Sequence, residues 1–213
     1  MKQIMVATAA FLLISAVKVN AQSTSAPAKD GLHFGVRAGV NLSNLVKDGD
    51  DNSTTGSKLG LNAAAFLEIP VTTGFSVQPE LQFSQKGFKT SGSVLGAPYE
   101  YKFTSNFIEV PLLAKFKPTK NFGILVGPQF SFLASTQTKF TVNNSTVEDE
   151  VEADNDNLRK NILGGVVGIE AASGPLVFNL RYNLDFQNNN GDGTSSTPRY
   201  KNQVIALGVG FRF

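Results

Sequence analysis

Nine charged side chains stand at alternate positions inside segments that are otherwise apolar in pattern: Arg37, Glu68, Glu80, Glu109, Lys115, Glu170, Arg181, Asp185 and Arg212. Their signs are mixed and close to balanced. If those positions face one enclosed interior, the groups meet there. A charge left unpaired in a low-dielectric interior costs several kcal/mol, so they must pair. The plain outcome is a structural ion-pair plug; the sharper alternative is a path for protons or ions. Catalysis is harder to assemble. His33 is the only histidine, and a Ser-His-Asp arrangement would have to use it. It begins the first patterned segment, at a rim, and a structural role is expected. With no cysteine, thiolate metal sites and disulfides are excluded. The stretches DGDDNS (48–53) and DNDN (154–157) offer oxygen ligands at short spacing. The first lacks the glycine and the bidentate glutamate of an EF-hand loop, so solvated turns are expected, with no metal and no cofactor.

Eight segments must position these charges. Strand one covers about 32–43, with Phe34, Val36, Ala38, Val40 and Leu42 on one face. Strand two covers about 58–69, strand three starts at Phe75, and strand four ends with Ile108, Val110, Leu112, Ala114 and Phe116. Strand five carries Phe122, Ile124, Val126, Phe130 and Phe132; strand six carries Leu163, Val167 and Ile169. Strand seven sets Leu176, Phe178, Leu180, Tyr182, Leu184 and Phe186 against Asn179, Arg181, Asn183, Asp185 and Gln187. Strand eight closes with Ile205, Leu207, Val209, Phe211 and Phe213. Alternation sustained at this length is the strand signature. Pro79, Pro111 and Pro128 fall inside strands, where bulges are expected. Strand four changes phase between Tyr99, Tyr101, Phe103 and the even-numbered run from Ile108. A bulge near 105–107, or a strand that projects beyond the membrane, accounts for it.

Composition does not separate a soluble barrel from a membrane one; hydrophobic residues at 41% fit both. The connections do. Those after strands one, three, five and seven are long and polar, while PVTTG, KPTKN and SGP are short. With both termini periplasmic, every long loop points outward, as in outer-membrane barrels. Phe34, Phe75, Phe116, Phe122, Phe211 and Phe213 cluster at the periplasmic end; Phe83, Phe132, Tyr182 and Phe186 cluster at the other. These are the two expected interfacial girdles. A soluble lipocalin-like barrel predicts the inverse: an apolar interior and a polar exterior.

Residues 1–21 read as a signal peptide, with Lys2 ahead of an apolar run and Val19-Asn20-Ala21 before a cut at Gln22. Residues 22–31 read as a flexible lead-in and 32–213 as the barrel domain. Loss of Lys2 and Lys18 brings the 19 basic residues level with the 17 acidic ones, so the formal +2 is no argument for nucleic acid. After the leader no apolar run is long enough for a membrane helix.

The phrases GVRAGVNLSNL (35–45), SVQPELQFSQKGFK (76–89), NFIEVPLLAKF (106–116), GPQFSFL (127–133), LRYNLDFQN (180–188) and GVGFRF (208–213) resemble the Bacteroidota outer-membrane β-barrel family that includes PorT-like proteins. The resemblance runs over nearly the whole mature chain in order. It implies an all-β, eight-stranded antiparallel up-and-down transmembrane barrel of OmpA/OmpX-like size. PorT itself is linked to type IX protein secretion. The closing strand also resembles an outer-membrane assembly signal at Gly208, Phe211 and Phe213; Ala206 stands where a polar residue is usual.

The resulting expectation is a plugged barrel in the Gram-negative outer membrane, without catalysis, with a structural or interaction role through its surface loops. The alternatives are a PorT-like accessory of a secretion system and a small-solute or ion channel. Expected partners are outer-membrane lipid and lipopolysaccharide, the barrel-assembly machinery, and envelope or secretion-system proteins.

Overall fold

The computed structural model describes residues 31–47, 56–94, 97–142, 145–152, 158–190 and 200–213. The leader, the lead-in before Gly31 and the acidic stretches 48–53 and 154–157 lie outside the described residues. The strands are β1 His33–Lys47, β2 Gly56–Thr72, β3 Phe75–Val94, β4 Ala97–Thr119, β5 Phe122–Val142, β6 Ser145–Glu152, β7 Asn161–Ser173, β8 Leu176–Asp185 and β9 Tyr200–Arg212. Eight of them run in the order β4-β3-β2-β1-β9-β8-β7-β5, and pairing of β4 with β5 closes the ring. All pairings are antiparallel.

The pleat sorts the side chains. On β8, Val177, Asn179, Arg181, Asn183 and Asp185 are buried, while Leu176, Phe178 and Leu180 are exposed. The same sorting holds around the ring: polar and charged groups inside, large apolar ones outside. Water would not tolerate that exterior; hydrocarbon requires it. The lipocalin-like arrangement is thereby excluded.

The outward apolar band covers 34–42 on β1, 59–69 on β2, 75–83 on β3, 108–116 on β4, 122–132 on β5, 163–171 on β7, 176–186 at β8 and 205–213 at β9. Each span has the length a tilted strand needs to cross the hydrocarbon, about 9–11 residues. Above it the outward face turns polar at one height, with Asn44 opposite Gln203 and Gln85 opposite Asn106. Tyr182 Oη donates to Gln203 Oε1 at 3.1 Å. At the periplasmic end the Phe34 ring stacks on Phe213 with centroids 6.3 Å apart, and Phe211 lies 5.1 Å from Phe213.

Three expectations about irregularity are corrected. First, the prolines cause no bulge. Pro79 pairs with Leu112, Pro111 with Gln129 and Pro128 with Gly165, in unbroken register. A missing donor removes one ladder bond but inserts no residue. The register shifts fall elsewhere, between Ser57 and Asn62, Pro70 and Thr72, Asn106 and Phe107, and Phe116 and Thr119.

Second, β4 does not change phase. It pairs with β3 from Phe75↔Phe116 to Val94↔Ala97 without a shift. The projecting-strand alternative holds. Above the membrane the outside is water, so aromatic residues turn inward. Phe88 packs on Tyr101, Phe103 and Tyr200 with centroids 6.2, 5.6 and 5.7 Å away. The bulge is on β5: Asn106 pairs with Ser135 and Phe107 with Leu133, which leaves Ala134 extra.

Third, the long polar connection after strand five is not all loop. β5 continues to Val142, and β6 pairs with it from Ser135↔Glu152 to Val142↔Ser145. β6 lies outside the ring. The upper parts of β3, β4 and β5 together with β6 form a four-stranded antiparallel sheet beyond the apolar band.

Candidate functional site

The lumen holds three tiers of charge. Nearest the periplasm is Glu68, at the end of the β2 inward row. Lys115 Nζ lies 2.7 Å from its Oε2, Lys117 Nζ 2.8 Å from its Oε1 and Arg212 Nη1 3.4 Å from its Oε2. Lys115 also reaches Glu170 on β7 at 2.5 Å.

The middle tier centres on Glu80 of β3. Arg181 of β8 clamps it with both guanidinium nitrogens, Nη1 to Oε2 at 2.8 Å and Nη2 to Oε1 at 2.9 Å. Arg37 of β1 donates to Oε2 at 2.8 Å from a third direction. Gln78 Nε2 adds a bond to Oε1 at 2.7 Å. Two-pronged guanidinium recognition is among the strongest ways to hold a buried carboxylate. Gly168 on β7 makes the clamp possible, since a Cβ there would lie 2.8 Å from Arg181 Cγ.

The outer tier is built on Lys86, whose ammonium is 2.8 Å from both Glu109 and Asp185. Gln129 and Ser131 donate to Glu109 Oε1 at 2.9 Å, and Asn202 donates to Asp185 Oδ2 at 2.8 Å. Lys86 also sits 4.9 Å from the Phe107 ring centroid. Gln82 joins the tiers, accepting from Arg37 and donating to Glu109 at 2.7 Å. Apolar residues fill the remaining space, with Leu113, Leu125 and Val166 in one cluster and Phe107, Leu133 and Ile162 in another.

All nine charges read from the sequence point into the lumen or its mouth. Arg37, Arg181 and Arg212 are on adjacent strands, as a closed ring requires, but Arg212 belongs to a different tier from the other two. Lys86 was missed, although it is fully buried. The signal was there: Ser76, Gln78, Glu80, Gln82 and Ser84 are polar at every second position, and Lys86 is the next. The aromatic Phe88 beyond it obscured how far the strand ran.

The other candidate residues are not brought together with the network. His33 Nδ1 is 3.4 Å from the Phe213 carbonyl at the exposed periplasmic rim. Among the described residues no group of three or more His, Cys, Asp or Glu could hold a metal ion. Gly208 stands opposite Gly39 and Asn179, and Phe211 and Phe213 face outward near the periplasmic end.

Residues 20–191 match the model of the family described as "Outer membrane protein beta-barrel domain". The chain belongs to that family. No curated protein sequence matches it. Among solved structures this outer-membrane barrel is similar in fold to Neisserial surface protein A, with 12% identity, 86% of this chain and 100% of that chain covered, and a TM-score of 0.52. It also aligns with Ail of Yersinia pestis, at 17% identity over 86% of this chain and 100% of that one, TM-score 0.46. A third is OprG of Pseudomonas aeruginosa, at 13% identity over 86% and 97%, TM-score 0.37. The outer-membrane barrel therefore has a filled lumen, an apolar lipid-facing band and a sheet that extends past the membrane.

Proposed function

We propose that this outer-membrane barrel acts as a structural and interaction protein of the envelope, through its surface loops and the sheet that carries them. The observation that carries the reading is the combination of a filled lumen with β3, β4 and β5 extended well past the apolar band. A transport role needs space along the axis, whereas an interaction role needs surface outside. The reading includes no catalysis. Its partners are outer-membrane lipid and lipopolysaccharide around the band, the barrel-assembly machinery during insertion, and envelope proteins at the outer sheet. The leader 1–21, cut before Gln22, supplies export, and Gly208, Phe211 and Phe213 supply the assembly signal.

Site-specific photo-crosslinking from Lys102 and Phe140, on the outer sheet, tests this in intact cells. Discrete adducts to a surface or envelope component are expected. Adducts no more frequent than those from Leu207 in the lipid-facing band would end the interaction reading. The second reading, a PorT-like accessory of type IX secretion in a Bacteroidota cell, rests on the phrases QPEL…SQKG and EVPLLAKF. Co-purification of secretion components in mild detergent is its expected outcome; a clean monomer and unchanged secretion on deletion count against it.

A further inference from the structure

The periplasmic mouth of the barrel carries more positive than negative charge. Glu68 alone accepts three cations, Lys115, Lys117 and Arg212, at 2.7, 2.8 and 3.4 Å. Ser76 Oγ takes a further place on Oε1 at 3.2 Å. Both carboxylate oxygens are thus committed. Glu170, the other acid at this level, is held by Lys115 at 2.5 Å. Lys120, in the turn between β4 and β5, lines the same small hollow as Lys117, Glu170 and Arg212. Among the described residues, four cations therefore face two carboxylates.

Among the described residues nothing nearby restores the balance. The turns between β2 and β3, β4 and β5, and β7 and β8 contain no acid; their only charge is Lys120, and Lys117 stands near the end of β4. His33 adds no negative group. The other end of the lumen has the opposite sense, with one ammonium, Lys86, between two carboxylates. The middle tier, with Arg37 and Arg181 on Glu80, shares the positive sense, so the excess belongs to the periplasmic part of the lumen and not to its outer tier. Partly enclosed like charges repel unless an anion sits among them.

We propose that the periplasmic mouth is a binding site for a small oxyanion, a carboxylate or phosphate group, seated among Lys117, Lys120 and Arg212. The guanidinium of Arg212 suits a two-oxygen contact, and two ammonium groups complete the cage. The hollow admits only the anionic tip of a ligand. The group can arrive on a soluble periplasmic molecule or on the headgroup of an inner-leaflet phospholipid. This site is at the end opposite the outer sheet and does not depend on the interaction role proposed above.

The test uses the full mature barrel, first in a non-ionic maltoside detergent. Its unfolding midpoint in urea is followed as sodium phosphate or sodium acetate replaces sodium chloride at fixed ionic strength. A ligand that binds only the folded state raises stability saturably. The wild type should show that saturable rise, and Lys120→Gln should weaken the apparent affinity roughly tenfold, the loss of about one charge-assisted hydrogen bond. Lys120 lies outside the ion-pair network, so heat-modifiable gel mobility should be unchanged; Lys117→Gln is the second variant. The other arm uses nanodiscs without added phosphate, of phosphatidylcholine alone or with phosphatidylglycerol. Stabilisation by phosphatidylglycerol that Lys120→Gln loses assigns the anion to a headgroup. Stabilisation by phosphate or acetate alone assigns it to a soluble ligand. No saturable response in either arm, or equal responses in wild type and both variants, overturns the site.

Discussion

Glu80 shows what a buried charge asks of its neighbours. Two strands that are distant in sequence supply its cations, Arg37 from β1 and Arg181 from β8, and Gln78 from its own strand β3 adds a third partner. Removal of the carboxylate leaves two guanidinium groups buried and unpaired. Breaking such a cluster from one side typically costs about 3–5 kcal/mol. Glu80→Ala should therefore lower the urea stability of the refolded barrel by that order. Glu100, paired with Lys102 at 2.6 Å on the outer sheet, is the control. Its hydrogen bond to the Lys102 ammonium holds its carboxyl below the usual range. The pair is solvent-screened, however, and Glu100→Gln should be indistinguishable from wild type. Tyr200 offers a pH handle outside the membrane band. Burial, reinforced by Tyr101, pushes its phenol well above the ordinary value of 10. The folded state then stays protonated where the unfolded chain ionises. The associated stability is present below pH 10 and is lost as pH rises above it. Alkaline unfolding curves of wild type and Tyr200→Phe should diverge only above that pH.

Each strand is divided by its surroundings into a membrane part and an outer part. In the apolar band outward residues contact lipid; a few positions higher the same face is amide-lined by Asn44, Gln85, Asn106 and Gln203. An arginine near the bilayer midplane costs about 2–4 kcal/mol, against about 0–1 near the interface. Leu207→Arg should thus be strongly destabilising in lipid vesicles, and Gln203→Arg, two pleats higher on β9, nearly silent. Refolding and urea titration of the two variants side by side measures the gradient directly. The outer part of β3 and β4 obeys the reverse rule, with Phe88, Tyr101 and Phe103 inward. The glycine at Gly87 sits at this transition with φ of 147°, where a Cβ would lie 2.0 Å from the Phe103 carbonyl oxygen. Period two was legible along the whole of β4. Which face was the inner one was not, because the hydrophobic rule inverts where lipid gives way to water.

At the scale of the molecule, an eight-strand ring is just wide enough for side chains to fill it. Here the three tiers and two apolar clusters do so. Planar bilayers containing the purified barrel should show no steady conductance. The double variant Arg37→Ala, Arg181→Ala, which empties the middle tier, should leak if it still folds. A steady open level in the wild type would show that the lumen is not closed in the membrane.

The sequence by itself determined the strand number of the ring, the inside-out polarity and nearly all of the lumen charges. These follow from strict local rules: alternation along a strand and the lengths of connections, both of which are visible in one dimension. It did not determine that β6 exists, that the prolines keep register, that Lys86 joins Glu109 and Asp185, or that three cations share Glu68. Those depend on which residues of non-adjacent strands reach the same height inside a closed ring. Height is set by the register of every pair around the circle, and a single extra residue such as Ala134 changes the face that all later positions present. Only the tertiary structure fixes that sum, and with it the excess of positive charge at the periplasmic mouth.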